Sequence, residues 1–408
     1  MRGLIGYPLG HSYSPMIHEF LSNKPYKLIA LDEESFHDFM QAKRFASVNV
    51  TIPYKQMVMP YLDHIDELAL RLEAVNCIVN HQGQLYGYNS DYFGFKYMLE
   101  HHGFDLYDKK VAILGNGGAC KAVKAVAEDL HARKIWIVSR QEGPDTISYA
   151  SLYEKDPEYI INTTPVGMFP HNDGRIVALD KFNKLEGVVD IVYNPLRTNL
   201  CIQAHNRNIK YLGGLEMLVA QAFKAVEIFD DNKLDLQKID ECLKLLLKQK
   251  QNIVLIGMPS CGKSTIASSL SQKLGKQLYE MDEIIQEKIE MPIKDYIMLN
   301  GEQAFRKQEE QVAQSLRNVK AGIISCGGGI VTCEASINYL QENGLVIFID
   351  RDLAKLACTD DRPLSNSFAK LQLLYQQRYA LYRKYSDITI TNNGDIQQAI
   401  DAIIERVG

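Results

Sequence analysis

Short apolar runs alternate with stretches of helical periodicity from one end of the chain to the other, the βαβα pattern of parallel sheets covered by helices. In the first third, KLIALD (27–32) and SVNVTI (47–52) read as strands, and the region ends in an amphipathic helix from Asp91 to His101. The segment KKVAILGNGGACKAVKAVAEDL then reads as strand, glycine-rich turn and helix, followed by the strand KIWIVS, one βαβ unit. Between about Tyr211 and Lys250 the pattern is helical, with Leu234, Leu236, Ile239, Leu243, Leu246 and Leu247 recurring near the helical period. That helix runs into the strand NIVLIG with no Pro, Gly or Ser-rich linker, which sets a boundary near Lys250 with little flexibility. Beyond it NIVLIG, KQLYEMD, AGIISCGGG, LVIFID and DITIT read as strands with helices between them. The fold class is α/β throughout.

Length and composition narrow this only a little. A chain of 408 residues predicts two or three domains, and 46% hydrophobic with 23% charged residues excludes wholesale disorder. The net charge of −5 comes with scattered Lys and Arg, so no basic face for nucleic acid is expected, while a pocket for a small anion needs only a few cations. No signal-peptide stretch and no run of about 18 apolar residues occurs, which predicts a cytoplasmic protein with no membrane association. The 8 cysteines are dispersed with no CxxC pair, arguing against a disulfide framework or a zinc site.

The strongest local signal is GMPSCGKST at 257–265, which satisfies G-x-x-x-x-G-K-[ST] between an apolar strand and a helical pattern. Gly257 and Gly262 let the backbone curl so that N–H groups point at phosphate oxygens. Lys263 neutralises the phosphates, and Ser264 can ligate Mg²⁺. The loop predicts binding of a nucleoside triphosphate, ATP in the kinase reading below, by Gly257, Pro259, Ser260, Cys261, Gly262, Lys263, Ser264 and Thr265. Downstream stand Asp282, placed at the end of the next predicted strand, GEQAFRKQE with Arg306, the triple glycine 327–329, RPL at 362–364 and RYALY from Arg378.

In that order these motifs resemble shikimate kinase across 252–408. The resemblance implies that Asp282 orients the attacking hydroxyl of shikimate, and that Arg306 and Arg378 clamp its carboxylate as planar guanidinium groups suit. It also implies that Gly327, Gly328 and Gly329 bring backbone N–H groups to the substrate, and that Arg362 closes over the transferring phosphoryl group. Mg²⁺ falls to Ser264 and Glu280, the latter standing where the family usually has Asp. The segment before Arg362 is shorter than usual and lacks the Arg expected against adenine, and Ala380 replaces a common Pro.

The turn GNGGAC (115–120) suits pyrophosphate at a helix N-terminus, and the next strand ends at Ser139-Arg140 where an NAD site would carry an acid. Arg140 favours the 2′-phosphate of NADP, while Glu142 close behind leaves NAD open. The motifs GYPLGHSYSP, NVTIPYK, AVNC, GYNSDYFG, GNGGAC, NTTPVGM, DIVYNP and GGLEMLVAQA, in order over 1–248, resemble shikimate dehydrogenase. The resemblance implies that Ser12 and Ser14 hold the substrate carboxylate, that Thr51, Asn76, Asp91 and Gln221 contact ring hydroxyls, and that Tyr193 lies nearby. Lys55 paired with Asp91 would relay the proton while NADPH supplies hydride. NADP(H) would lie on Gly115, Asn116, Gly117, Gly118, Ala119, Ser139, Arg140, Thr163 and Gly214.

The expected architecture is an α/β substrate domain at 1–95, rejoined by helices of about 215–250, a Rossmann-like NADP domain at 96–214 and a P-loop α/β/α kinase domain with a parallel sheet at 251–408. The expected function is NADPH-dependent reduction of 3-dehydroshikimate to shikimate, then MgATP-dependent phosphorylation of shikimate, by a monomer or homodimer. Two alternatives stay open: a nucleotide-binding but inactive regulatory kinase domain, and a quinate/shikimate dehydrogenase using NAD.

Overall fold

The computed structural model describes residues 1–10, 12–356 and 367–407, so Arg362 lies outside the described residues. The chain divides into two compact units, one of Met1–Asn194 and Arg207–Leu243, the other of Pro195–Asn206 and Lys244–Gly408. Among the described residues no helix is long and apolar enough to cross a membrane.

The first unit holds two six-stranded sheets. In the N-terminal one, Arg2–Gly6 pairs in parallel with Lys27–Ala30 and Ser47–Val50, and the hairpin Cys77–His81 and Gln84–Tyr88 adds antiparallel strands. Ile5, Val48, Val50 and Ile78 pack there on Phe36, Met40 and Tyr54.

The second sheet is parallel throughout, in the spatial order Lys210–Gly213, Gly187–Asp190, Tyr159–Asn162, Lys110–Leu114, Lys134–Ser139, Thr146–Ser148. Strand order reverses between Lys110–Leu114 and Tyr159–Asn162, and the crevice beyond the carboxyl ends of strands at such a reversal is where dinucleotides bind. Val111 and Ile113 face the core with Val123, Val126 and Ala127 of the helix Gly118–Asp129, which fixes the turn 115–118 over that crevice.

Two helices seal this unit near the site. Asp91–His101 and Leu215–Asp230 approach closely at Gly94, where an added Cβ would lie 2.7 Å from the Met217 carbonyl oxygen and 2.8 Å from Gln221 Cβ. A side chain there would push the helices apart.

The second unit is built on a five-stranded parallel sheet in the order Leu278–Glu280, Ile323–Ser325, Asn252–Ile256, Gly344–Asp350, Ile388–Thr391. These are the five strands that the sequence pattern predicts. Asn252–Ile256 is buried along its whole length at the sheet centre, the continuous apolar run of a parallel strand covered on both faces. The helix Asn199–Asn206 groups with this unit although its sequence lies between two strands of the dinucleotide sheet. Arg197 just ahead of it donates to both Asp387 carboxylate oxygens, at 2.7 and 2.9 Å, and to the Gly344 carbonyl.

Candidate functional site

In the first unit the centre is Lys55, whose Nζ donates to Asp91 Oδ2 at 2.5 Å. Asp91 opens the helix Asp91–His101, and its carboxylate does not cap it. Asn89 Oδ1 accepts the Asp91 backbone N–H at 3.0 Å instead. The second Asp91 oxygen accepts from Asn76 Nδ2 at 2.8 Å, and Asn76 Oδ1 accepts the Ser90 N–H at 2.7 Å. Ser90 Oγ reaches Gln221 Oε1 at 3.4 Å across the helix seam. Both Asp91 oxygens are thus engaged, with 16% of the Lys55 and 10% of the Asp91 side chain exposed, a setting in which a charge-assisted hydrogen bond is strong. Thr51 lies on the same turn as Lys55, at the end of Ser47–Val50.

Ser12, Ser14 and Tyr193 form a second group. Ser12 Oγ donates to Ser14 Oγ at 3.0 Å and accepts the Ser14 N–H. The Tyr193 ring lies 5.4 Å from that of Tyr13, and burial raises the Tyr193 hydroxyl pKa against a hydrogen bond with Ser12.

The dinucleotide crevice lies next to Lys55, whose Cδ would be 3.8 Å from a Cβ on Gly118. Gly115 has φ +102° and packs against Thr163 and Thr164, leaving room for no side chain, while Asn116 and Gly117 are exposed and nothing lies within 4 Å of a Cβ on Gly117. This open turn at a helix N-terminus fits a pyrophosphate. Thr163 is anchored by its hydroxyl to the Leu114 carbonyl at 2.8 Å. Ser139 ends its strand and Arg140 is exposed beside the crevice, whereas Glu142 is engaged elsewhere, accepting from Ser148 N at 3.1 Å and Ser151 Oγ at 2.5 Å. The acid that left NAD open is therefore tied to the start of the helix Tyr149–Leu152. Gly214 precedes Leu215–Asp230 and packs on the Ile191 backbone.

In the second unit a cleft of about 790 Å³ collects most of the residues named from sequence: 259–260 and 262–265 of the phosphate loop, Glu280, Asp282, Arg306, 327–329 and Arg378. Gly257 and Cys261 stand behind it as parts of the loop itself. Gly257 takes φ +151°, and the Cys261 thiol is buried. Lys263 Nζ donates to the Gly257 and Met258 carbonyls at 3.0 and 2.9 Å, which closes the curl, and Gly262 at φ +100° starts the helix Lys263–Leu274.

Glu280 ends its strand and Asp282 falls in the first turn of the helix Met281–Ile289, so the strand stops two residues before Asp282. Burial raises the Glu280 pKa, Glu283 and Asp282 add to it, and hydrogen bonds from Ser325 and Ser264 oppose them. Ser264 Oγ lies 3.4 Å from Glu280 Oε2. Hard oxygen donors with unrelieved negative charge fit a divalent cation of the Mg²⁺ type.

Arg306 lies over Gly329, at the place a side chain there would need, and donates to Glu302 at 2.9 Å and Glu309 at 2.7 Å. Arg378 and Tyr382 both donate to the Gly328 carbonyl, at 3.1 and 2.5 Å, and the Pro259 ring packs on Gly328. Sequence reasoning missed Glu309, which is 1% exposed. Burial raises its pKa and Asp282 adds to this, while Arg306 and Arg378 oppose it. Its spacing of three from Arg306 on one helix was the available signal. Ser90 and Asn89 were also missed, although both stand beside Asp91.

Comparison with known proteins follows this geometry. The family model of the shikimate dehydrogenase substrate-binding domain matches residues 4–78, and that of shikimate kinase matches 259–408. A shikimate dehydrogenase (NADP(+)) of Clostridium beijerinckii is 40% identical over 250 residues, 57% of this chain and 93% of that protein. A crystal structure of a chorismate mutase/shikimate 5-dehydrogenase fusion from Clostridium acetobutylicum is similar with TM-score 0.57 and 34% identity, covering 60% of this chain and 96% of that one. The Thermus thermophilus shikimate 5-dehydrogenase in complex with NADP(H) and shikimate follows with TM-score 0.55 and 25% identity, covering 60% and 98%. The chain belongs to the shikimate dehydrogenase family and carries, C-terminal to that part, a shikimate kinase domain.

Proposed function

We propose that this protein reduces 3-dehydroshikimate to shikimate with NADPH and phosphorylates shikimate to shikimate 3-phosphate with MgATP. The observation that carries the reading is one chain holding both a doubly partnered Lys55–Asp91 pair beside a dinucleotide crevice and a phosphate loop opening on a cleft with Asp282, Arg306 and Arg378. When bound, NADPH supplies hydride, and MgATP supplies the phosphoryl group together with a divalent cation.

In the dehydrogenase, Lys55 holds a proton at the carbonyl oxygen that becomes the alkoxide, and Asp91 keeps that ammonium in place. Asn76, Thr51 and Gln221 take the ring hydroxyls, and Ser12 and Ser14, with Tyr193 beside them, take the carboxylate. Gly115, Asn116, Gly117, Gly118 and Ala119 cradle the pyrophosphate, with Thr163 and Gly214 shaping the crevice. Ser139 and Arg140 meet the 2′-phosphate, which Glu142 does not oppose.

In the kinase, Asp282 accepts the hydroxyl proton and orients the oxygen, Arg306 and Arg378 hold the carboxylate, and Lys263 neutralises phosphate charge. Ser264 and Glu280 are the residues that would hold Mg²⁺. Buried free thiols at Cys77, Cys120, Cys201, Cys242, Cys261 and Cys326 accord with a reducing compartment, the cytoplasm.

The test separates the two activities on the full chain. Lys55→Ala should abolish shikimate-dependent NADP⁺ reduction and leave shikimate-dependent ADP formation intact, and Lys263→Ala should do the reverse. Wild-type protein lacking either activity would overturn the reading.

A further inference from the structure

The helix Asp91–His101 ends on two consecutive histidines, and the helix Leu215–Asp230 carries Glu216 in its first turn. Across their seam His101 Nδ1 lies 2.6 Å from Glu216 Oε1, and His102 Nε2 pairs with Oε2. One nitrogen from each imidazole and one carboxylate oxygen all lie within 4.8 Å of one another. Glu216 is buried at 9% side-chain exposure, while the His101 and His102 side chains are 43% and 42% exposed. The carboxylate thus anchors the cluster from inside, and its open side faces water. Asp240 adds negative charge toward His101, and the Lys210 ammonium is spent on the carbonyls of His102 and Gly103 at 2.7 and 2.9 Å.

We propose that His101, His102 and Glu216 bind one divalent transition-metal ion of the zinc class, which ties the end of one helix to the start of the other. Two imidazole nitrogens and one carboxylate oxygen are the donor set of borderline ions such as Zn²⁺ and Co²⁺, and not of Mg²⁺ or Ca²⁺. The remaining coordination positions fall to water on the exposed side.

The helices joined here are those that carry Asp91 and Gln221. At the helical rise, Asp91 stands about 15 Å from His101 along its axis. The ion therefore braces the catalytic scaffold from its far end and touches neither substrate nor cofactor. Cysteine spacing gives no sign of such a site, because no cysteine takes part in it.

The test uses the full chain, stripped by chelator and free of nucleotide. Wild-type protein should take up one equivalent of Zn²⁺ saturably and of Co²⁺ with a visible absorption band. At saturation with Zn²⁺ its unfolding midpoint should rise by about 4 °C, and the same concentration of Mg²⁺ should not move it. His101→Gln and His102→Gln keep an amide that can hydrogen-bond Glu216, and each should unfold like wild type without metal while binding Zn²⁺ at least about tenfold more weakly. No saturable uptake by wild-type protein, or equal uptake by both variants, would overturn the proposal.

Discussion

Lys55 and Asp91 lie 36 positions apart in sequence and meet at 2.5 Å, with Asn76 holding the carboxylate oxygen that Lys55 leaves free. The lysine comes from the turn after Ser47–Val50 and the aspartate from the first residue of a helix whose approach to its neighbour Gly94 permits. The proposed function makes Lys55 the donor at the developing alkoxide, so Lys55→Met should lower the dehydrogenase kcat by about 10²- to 10⁴-fold. NADPH affinity, measured by fluorescence titration, should change little.

The Glu142 carboxylate is held by Ser148 and Ser151, and the proposed function therefore assigns coenzyme choice to Arg140. Arg140→Ala should reduce the preference in kcat/KM for NADPH over NADH by about tenfold or more, the loss of one charge-assisted contact. Glu142→Gln should leave that preference within about twofold, since the carboxylate is already taken up by Ser148 and Ser151. Steady-state kinetics with both coenzymes checks each.

Gly115 takes φ +102°, and a Cβ would fall 2.7 Å from Thr164 Cγ2 and 3.0 Å from Thr163 Oγ1. Gly115→Ala should therefore distort the pyrophosphate turn, raising the KM for NADPH and costing about 1 kcal/mol or more in stability, measured by denaturant unfolding. Gly117→Ala meets nothing within 4 Å and should cost the fold far less.

In the second unit Asp387 is buried, which pushes its pKa up, yet the charge and hydrogen bonds of Arg197, with the Val346 N–H and His205 adding to them, outweigh burial and hold it below the usual carboxylate range. Arg197→Met leaves that carboxylate buried without its partner and should destabilise the kinase unit by about 3 kcal/mol. Because the folded pKa is depressed, the stabilisation is present above the ordinary carboxylate pKa and is lost as pH falls through the folded value. The difference between wild type and Arg197→Met should accordingly be largest near neutral pH and shrink as pH falls, because the carboxylate that has lost Arg197 takes up its proton in the folded variant before the paired one does in wild type. Thermal unfolding across pH reads this directly.

Much of both sites was legible because short contiguous motifs carry them. The P-loop 257–265 and the turn 115–120 each sit between a strand and a helix, and their backbone geometry follows from glycine positions. The five kinase strands were legible for the same reason, since a central parallel strand such as Asn252–Ile256 is an unbroken apolar run. What was not legible depends on side-chain direction across elements. Periodicity cannot say that Glu142 turns toward Ser151, that Glu309 buries itself beneath Arg306, or that His101 and His102 meet Glu216 from 115 and 114 positions away. Nor does the pattern reveal that the stretch around Arg197, which follows a strand of the dinucleotide sheet, packs with the kinase strands through Asp387 and Gly344.

The central claim is that one chain carries out two consecutive steps, and the direct measurement is mass spectrometry of the products formed by the purified full chain from 3-dehydroshikimate, NADPH and MgATP. Shikimate 3-phosphate should accumulate, and omission of NADPH should abolish it. Accumulation of unphosphorylated shikimate with ATP intact would contradict the account and leave the P-loop domain as a nucleotide-binding appendage to an active dehydrogenase.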